Sequence, residues 1–156
     1  MKFRIAAALA LTAASPVDAQ TPAAPPAVDY GTATPIEGNW TYAPVTGGSE
    51  ASFVNAMSQP QLTISCTRAT RQVTIAKPAT GAAPFLTVWT TAETRALPSS
   101  YNPATGKLSA TLQAFDPFLD AIAFSRGRFV LSVSGQPALV VPSWAEAGRV
   151  VEDCRV

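Results

Sequence analysis

Gln61-Leu62-Thr63-Ile64-Ser65-Cys66-Thr67, followed by Arg68-Ala69-Thr70 and then Arg71-Gln72-Val73-Thr74-Ile75-Ala76, is the stretch whose reading decides the fold. Leu62, Ile64 and Cys66 alternate with polar residues at the two-residue period of a half-buried strand. Arg68–Thr70 makes a tight connection, and the second run returns with Val73 and Ile75 inward. This is a hairpin without the Asn-Gly signature.

Strand signals continue on both sides of the hairpin. Trp40–Tyr42 and Ala51–Asn55 precede it. Phe85–Thr91 follows, rich in β-branched and aromatic residues and suited to burial on both faces. Thr94–Leu97 continues that strand after a bend. The turn cluster Asn102–Gly106 leads into alternating Leu108, Ala110 and Leu112. Arg128–Ser134 and Ala138–Val141 flank Gly135-Gln136-Pro137 as a second hairpin.

Two short helices interrupt this pattern. Asp116 is an N-cap with Pro117 at the first helical position, and Phe115, Phe118, Leu119 and Ile122 fall on one face at i, i+3, i+4 and i+7. Gly127 is suited to a left-handed stop. Ser143-Trp144-Ala145-Glu146 reads as a capping box opening the last helix, with Trp144, Ala147, Gly148, Val151 and Cys154 on one face. Glu146, Arg149 and Asp153 are spaced to pair along its other side. The expected fold class is β-rich α+β: an antiparallel sheet or sandwich of about 7–9 strands with two short helices packed on it.

The N-terminus carries an export signal. Lys2 and Arg4 precede the apolar run Ile5–Ala14, and Val17-Asp18-Ala19 supplies a cleavage site, so residues 1–19 read as a signal peptide. That run is too short to span a bilayer, and no Cys follows it to take a lipid anchor. Residues 20–37 are a Pro- and Ala-rich leader, disordered or extended, and residues 38–156 form a single β-rich domain. The expected location is periplasmic or secreted.

Export gives the two cysteines their meaning. Cys66 on a strand and Cys154 on the last helix both lie on inward faces, and an isolated pair in an oxidising compartment is most simply a disulfide. The bond would tie the C-terminal helix to the sheet. A redox pair would call for C-x-x-C spacing, which is missing.

Composition removes several chemistries. The 156 residues include no histidine, which excludes Ser-His-Asp and Cys-His catalysis and His-based metal sites. Lys2, Arg4 and Asp18 leave with the signal, so the mature chain carries as many bases as acids. That balance lacks the basic surplus of a nucleic-acid binder and any polybasic tether to a membrane. Thr105-Gly106-Lys107 resembles the end of a phosphate loop but lacks the earlier glycine and the following Ser or Thr. Asp116 and Asp120 lie one helical turn apart, yet Asp116 is explained as a cap, so no carboxylate pair for glycoside hydrolysis is assigned. No catalytic residue, metal ligand or cofactor is expected.

What remains is a surface. Ser125-Arg126-Gly127-Arg128 places two guanidinium groups at a helix stop, where they would either satisfy the last carbonyls or contact an anion or partner. Asp120, Arg126 and Arg128 are therefore the candidate binding residues. Trp89 and Trp144 read as core residues or interface anchors. The expected function is binding of a protein or cell-envelope partner. The alternatives are a carboxylate- or serine-dependent hydrolase without a recognisable motif and a small-molecule-binding sandwich.

The order of these features resembles the VasI-like accessory proteins of type VI secretion. The resemblance is carried by Trp40-Thr41-Tyr42, Ser49-Glu50-Ala51, Pro60–Cys66, Thr70–Ile75, the Phe118-Leu119 helix and a terminal helix ending at Cys154. It implies an envelope or secretion-system accessory role and brings no catalytic residue. The chain departs from that family where Ala51-Ser52 replace paired acids and where Ser65 precedes the cysteine. Phe124–Phe129, Pro142-Ser143-Trp144 and Val151–Cys154 also resemble uncharacterised exported proteins of alphaproteobacterial type.

Overall fold

The computed structural model describes residues 28–156. Residues 1–27, which include the expected signal peptide and the first part of the expected leader, lie outside the described residues. The expected central hairpin forms from β3 (Pro60–Thr67) and β4 (Gln72–Pro78), with Ile64 opposite Ile75 and Cys66 opposite Val73. β1 (Asn39–Val45) and β2 (Gly48–Val54) extend it on one side. β8 (Lys107–Gln113) and the three-residue β7 (Ser100–Asn102) extend it on the other. The result is a six-stranded antiparallel sheet in the order β1-β2-β3-β4-β8-β7.

A second antiparallel sheet has four strands in the order β10-β9-β5-β6. It consists of β5 (Phe85–Trp89), β6 (Thr94–Pro98), β9 (Arg128–Ser132) and β10 (Leu139–Pro142). The described residues thus hold ten strands against the 7–9 expected. One of the additional strands is β7, too short to show a periodicity.

β6 corrects the sequence reading in a different way: it reverses direction instead of continuing β5 after a bend. The fully embedded Thr90 closes this turn. Its hydroxyl donates to the Glu93 carbonyl at 2.8 Å and accepts from the amides of Ala92 and Glu93. A Thr that bonds its own turn backbone competes with strand continuation. β5 is also only half covered: Leu86 and Val88 point into the core while Phe85 is exposed.

The inner face of the six-stranded sheet is covered by the four-stranded sheet and, beside it, by the two helices. α1 (Pro117–Ala123) begins as expected, with Asp116 accepting from the Phe118 amide at 2.9 Å and with Phe118, Leu119 and Ile122 buried. Phe115 is the exception. It precedes the cap, stays exposed, and is met by the Arg71 guanidinium 5.7 Å from its ring centre.

α2 (Ala145–Arg155) lies across β2, β3 and β4 and packs on α1, burying Ala147, Val150, Val151 and Cys154. Cys154 is bonded to Cys66 across a sequence separation of 88 residues. The expected capping box does not form. Trp144 occupies the cap position without a side-chain bond, and the Ser143 hydroxyl instead donates to the carbonyls of Ile122 and Ala123 at the end of α1.

Residues 28–36 cross the outer face of the four-stranded sheet. The Tyr30 ring lies 6.1 Å from that of Trp89, the Arg128 guanidinium donates to the Ala33 carbonyl, and the Ile36 amide donates to the Val140 carbonyl at 3.0 Å. Gly38 then turns the chain into β1. A Cβ at that position would lie 2.3 Å from the Val54 carbonyl oxygen, so only glycine fits so close an approach.

Candidate functional site

The three candidate binding residues are not brought together. Asp120 accepts from Arg155 at 2.8 Å, and Arg155 also donates to the Ala114 carbonyl, so this carboxylate clamps the end of α2 to α1. The same ion pair holds the Arg155 guanidinium above its ordinary pKa. Arg128 is engaged with Ala33. Arg126 is exposed and forms no ion pair among the described residues. Neither arginine caps α1, because Ser143 serves that end.

Arg126 lies on a turn where Phe124, which the sequence did not assign to a surface, is also exposed. The β9–β10 pairing places Pro142 opposite Arg128, and the Ser143 amide continues it by donating to the Gly127 carbonyl at 3.3 Å. Trp144 follows Ser143 directly, so its backbone lies near the α1–β9 turn that carries Phe124 and Arg126. Phe124 is 76% and Trp144 44% exposed. Phe124 lies outside the buried set Phe118, Leu119 and Ile122, and that offset was the available signal. Trp144 is exposed here and is not a core residue.

This surface rests on fixed backbone. The Ser125 hydroxyl donates to the Arg128 carbonyl and accepts from the Thr91 amide, while the Arg126 amide donates to the Thr91 hydroxyl at 3.0 Å. Gly127 takes a left-handed φ of 74°, which lets the chain leave α1 and enter β9. Two aromatic rings and a free guanidinium on a rigid support match the residue types that dominate binding energy at protein interfaces.

The acids have other partners. Asp116 accepts two bonds from Arg95, at 2.8 and 3.0 Å, in addition to capping α1, and the Arg95 guanidinium sits 4.4 Å from the Phe118 ring centre. Asp116 and Asp120 are therefore each held by an arginine. The expected pairing of Glu146, Arg149 and Asp153 is not formed. Arg149 stacks 3.9 Å over the Tyr42 ring, and Asp153 accepts from the Tyr42 hydroxyl at 2.6 Å.

The Tyr42 bond is the main reason the Asp153 carboxyl is held below the ordinary carboxylate range. Partial burial opposes the shift, while Ser49, Arg149 and Arg68 add to it. Ser49, the register partner of Cys66, is the hydroxyl residue beside Cys66 in this cluster. Its hydroxyl is fully buried and completes no hydrogen bond of good geometry, so it cannot meet a substrate. Lys77 is also buried, with its ammonium donating only to the Pro78 carbonyl at 2.8 Å, and burial pushes its pKa down. Among the described residues no three His, Cys, Asp or Glu side chains cluster, and no helix is long and apolar enough to cross a membrane.

An open groove of about 600 Å³ lies elsewhere, between Tyr30 and the four-stranded sheet, with Thr87, Ser132, Ser134 and Gln136 among its lining residues. It lies on the outside of the sandwich and carries no charged lining residue. Comparison of the chain with protein-family models, with curated proteins and with solved structures gives no match.

Proposed function

We propose that this chain is an exported binding protein that works without a catalytic centre of its own, docking a protein partner in the cell envelope through Phe124, Arg126 and Trp144. The observation that carries this reading is the exposure of both rings and of an unpaired arginine, with Phe124 and Arg126 on the hydrogen-bonded α1–β9 turn and Trp144 next to the Ser143 that bonds to it. Exposed aromatic groups on so small a domain are costly to leave in water, and aromatic residues together with Arg are the residue types of an interface centre. The partner suited to it offers an apolar pocket for the rings and a carboxylate for the guanidinium.

Two further features support the setting. The disulfide is compatible with an oxidising compartment outside the cytoplasm. The N-terminal sequence reads as an export signal, and the resemblance to secretion accessory proteins points to the same place.

The test is co-purification from envelope extracts with tagged wild-type protein and with the triple variant Phe124→Ala, Arg126→Ala, Trp144→Ala. The three side chains bear on solvent, so the variant is expected to melt like the wild type and to lose the partner. A folded triple variant that recovers the same partner in the same yield would overturn the proposal.

A further inference from the structure

The outer face of the four-stranded sheet is not bare. Val130 alternates along β9 with the core residues Phe129 and Leu131 and so points away from the core, yet it is 1% exposed; Val140, its register partner, is 9% exposed. Their cover is the segment 28–36. The Asp29 carboxylate shapes that segment locally, accepting from the Gly31 amide at 2.9 Å and the Thr32 hydroxyl at 3.2 Å. The turn presents the Tyr30 ring to Trp89, which stands opposite Val130.

Where this cover ends, the groove opens. Its floor is the next outward row of the same sheet, Thr87 opposite Ser132. One wall is Tyr30, and the other is the β9–β10 turn carrying Ser134 and Gln136. β5 and β9 are interior strands, each flanked by two neighbours, so their peptide groups are committed to the ladders. An extended peptide cannot add a strand there. Anything in the groove must be recognised by side chains.

Val28, Val133 and Ala138 give the groove an apolar part, and the polar side chains beside them are all neutral. The hydroxyls of Thr87, Ser132, Ser134 and Tyr30 and the amide of Gln136 make no hydrogen bond to another described residue, so both donors and acceptors are free. The Tyr30 ring supplies a flat apolar face beside them. No formal charge lines the groove to hold an ion. Neutral donors and acceptors around an aromatic face suit a ligand that is rich in hydroxyl and amide groups and has flat C–H faces.

We propose that the groove binds a neutral glycan, with a sugar ring seated on Tyr30 and its hydroxyl or acetamido groups bonded to Thr87, Ser132, Ser134 and Gln136. Its volume of about 600 Å³ lies within the range of small-ligand sites and suits a short oligosaccharide. This site is separate from the Phe124–Trp144 surface and stands or falls without it. Residues 28–36 then have a role beyond covering two valines: they complete the ligand's aromatic wall.

The test is isothermal titration calorimetry on the full mature protein. The probes are the trisaccharides of N-acetylglucosamine and of glucose, with a neutral Ala-Ser decapeptide as the competing class. Saturable trisaccharide binding in the millimolar range or tighter is expected, weakened about tenfold or more by Tyr30→Ala and by Gln136→Ala and largely kept by Tyr30→Phe. Gln136→Ala lies in a surface turn and keeps the test valid if Tyr30→Ala loosens the segment. Absence of saturable trisaccharide binding, affinity unchanged in both alanine variants, or saturable binding of the decapeptide alone would each overturn the proposal.

Discussion

Replacing both cysteines, Cys66→Ala with Cys154→Ala, removes the one covalent tie between α2 and the six-stranded sheet and probes what holds the helix there. The bond closes a loop of 88 residues, and in the chain-entropy treatment such a cross-link withdraws about 4.6 kcal/mol of conformational freedom from the unfolded chain. Residual structure in the unfolded state lowers the realised value to about 3 kcal/mol. The native state loses little else, because Cys154 sits in a face with Ala147, Val150 and Val151 that stays apolar. The double variant is therefore expected to remain folded and to keep its helical circular dichroism in buffer. Its urea midpoint should fall by about 1.5 M if m is near 2 kcal/mol/M, and m itself should rise, because the unfolded chain without the cross-link is less compact. A midpoint lowered by less than about 0.5 M would refute the reasoning, since the helix would then be held by packing alone. The oxidised protein should also weigh two hydrogens less than the reduced form and offer no thiol to alkylation.

Tyr42→Phe removes the bond to Asp153 and is expected to cost about 1 kcal/mol at neutral pH, a charged hydrogen bond discounted for its partly exposed setting. Because the Asp153 carboxyl is lowered from its ordinary value of 3.8, that stability is present above 3.8 and lost as the pH falls through the lower folded value; the stability gap between Tyr42→Phe and wild type should close there. A gap that persists in acid would assign the effect to packing. Lys77→Met replaces a buried ammonium by an apolar chain of similar length and should stabilise the protein by about 1 kcal/mol at neutral pH. Burial lowers the Lys77 pKa from 10.5, so wild-type stability rises as the pH climbs from that lowered value toward 10.5, and the advantage of methionine should shrink over that window. Gly48→Ala would put a Cβ 1.8 Å from the Cys66 carbonyl oxygen, and a loss of about 3 kcal/mol or more in urea unfolding is expected; a near-neutral result would contradict the β2–β3 register.

The strands with strict alternation were legible in the sequence, β3, β4 and β8 above all, because one of their faces is core and the other carries hydroxyls. The disulfide was legible for the same reason, since both cysteines fall on inward positions of their own elements. The α1 cap was legible because Asp-Pro at a helix start has one strong local meaning. Ser143 was misread because a long-range acceptor pair on α1 outcompeted the local capping bond. The β5–β6 reversal was hidden because Thr90 acts as a turn residue inside a run of strand formers. At the candidate surface the sequence offered Arg126 and, as one of two readings, Trp144, but it did not show that Phe124 stays exposed or that the Ser143 bonds tie the start of α2 to the end of α1. Arg128 and Asp120 looked free and are bound, to a carbonyl of the N-terminal segment and to Arg155, contacts 95 and 35 residues away in sequence. The groove could not be read at all, because Tyr30 lies in a stretch whose composition suggested nothing to bury.

The central claim is that this protein acts by docking a partner on the Phe124–Arg126–Trp144 surface. Its most direct test is a photoreactive phenylalanine analogue at position 124, irradiated in intact cells, with the same analogue at exposed Thr111 on the outer face of the six-stranded sheet as the control. The account predicts one discrete crosslinked protein from position 124, absent from position 111 and lost when Arg126→Ala and Trp144→Ala are added. No adduct at position 124, or the same adducts from both positions, would contradict it.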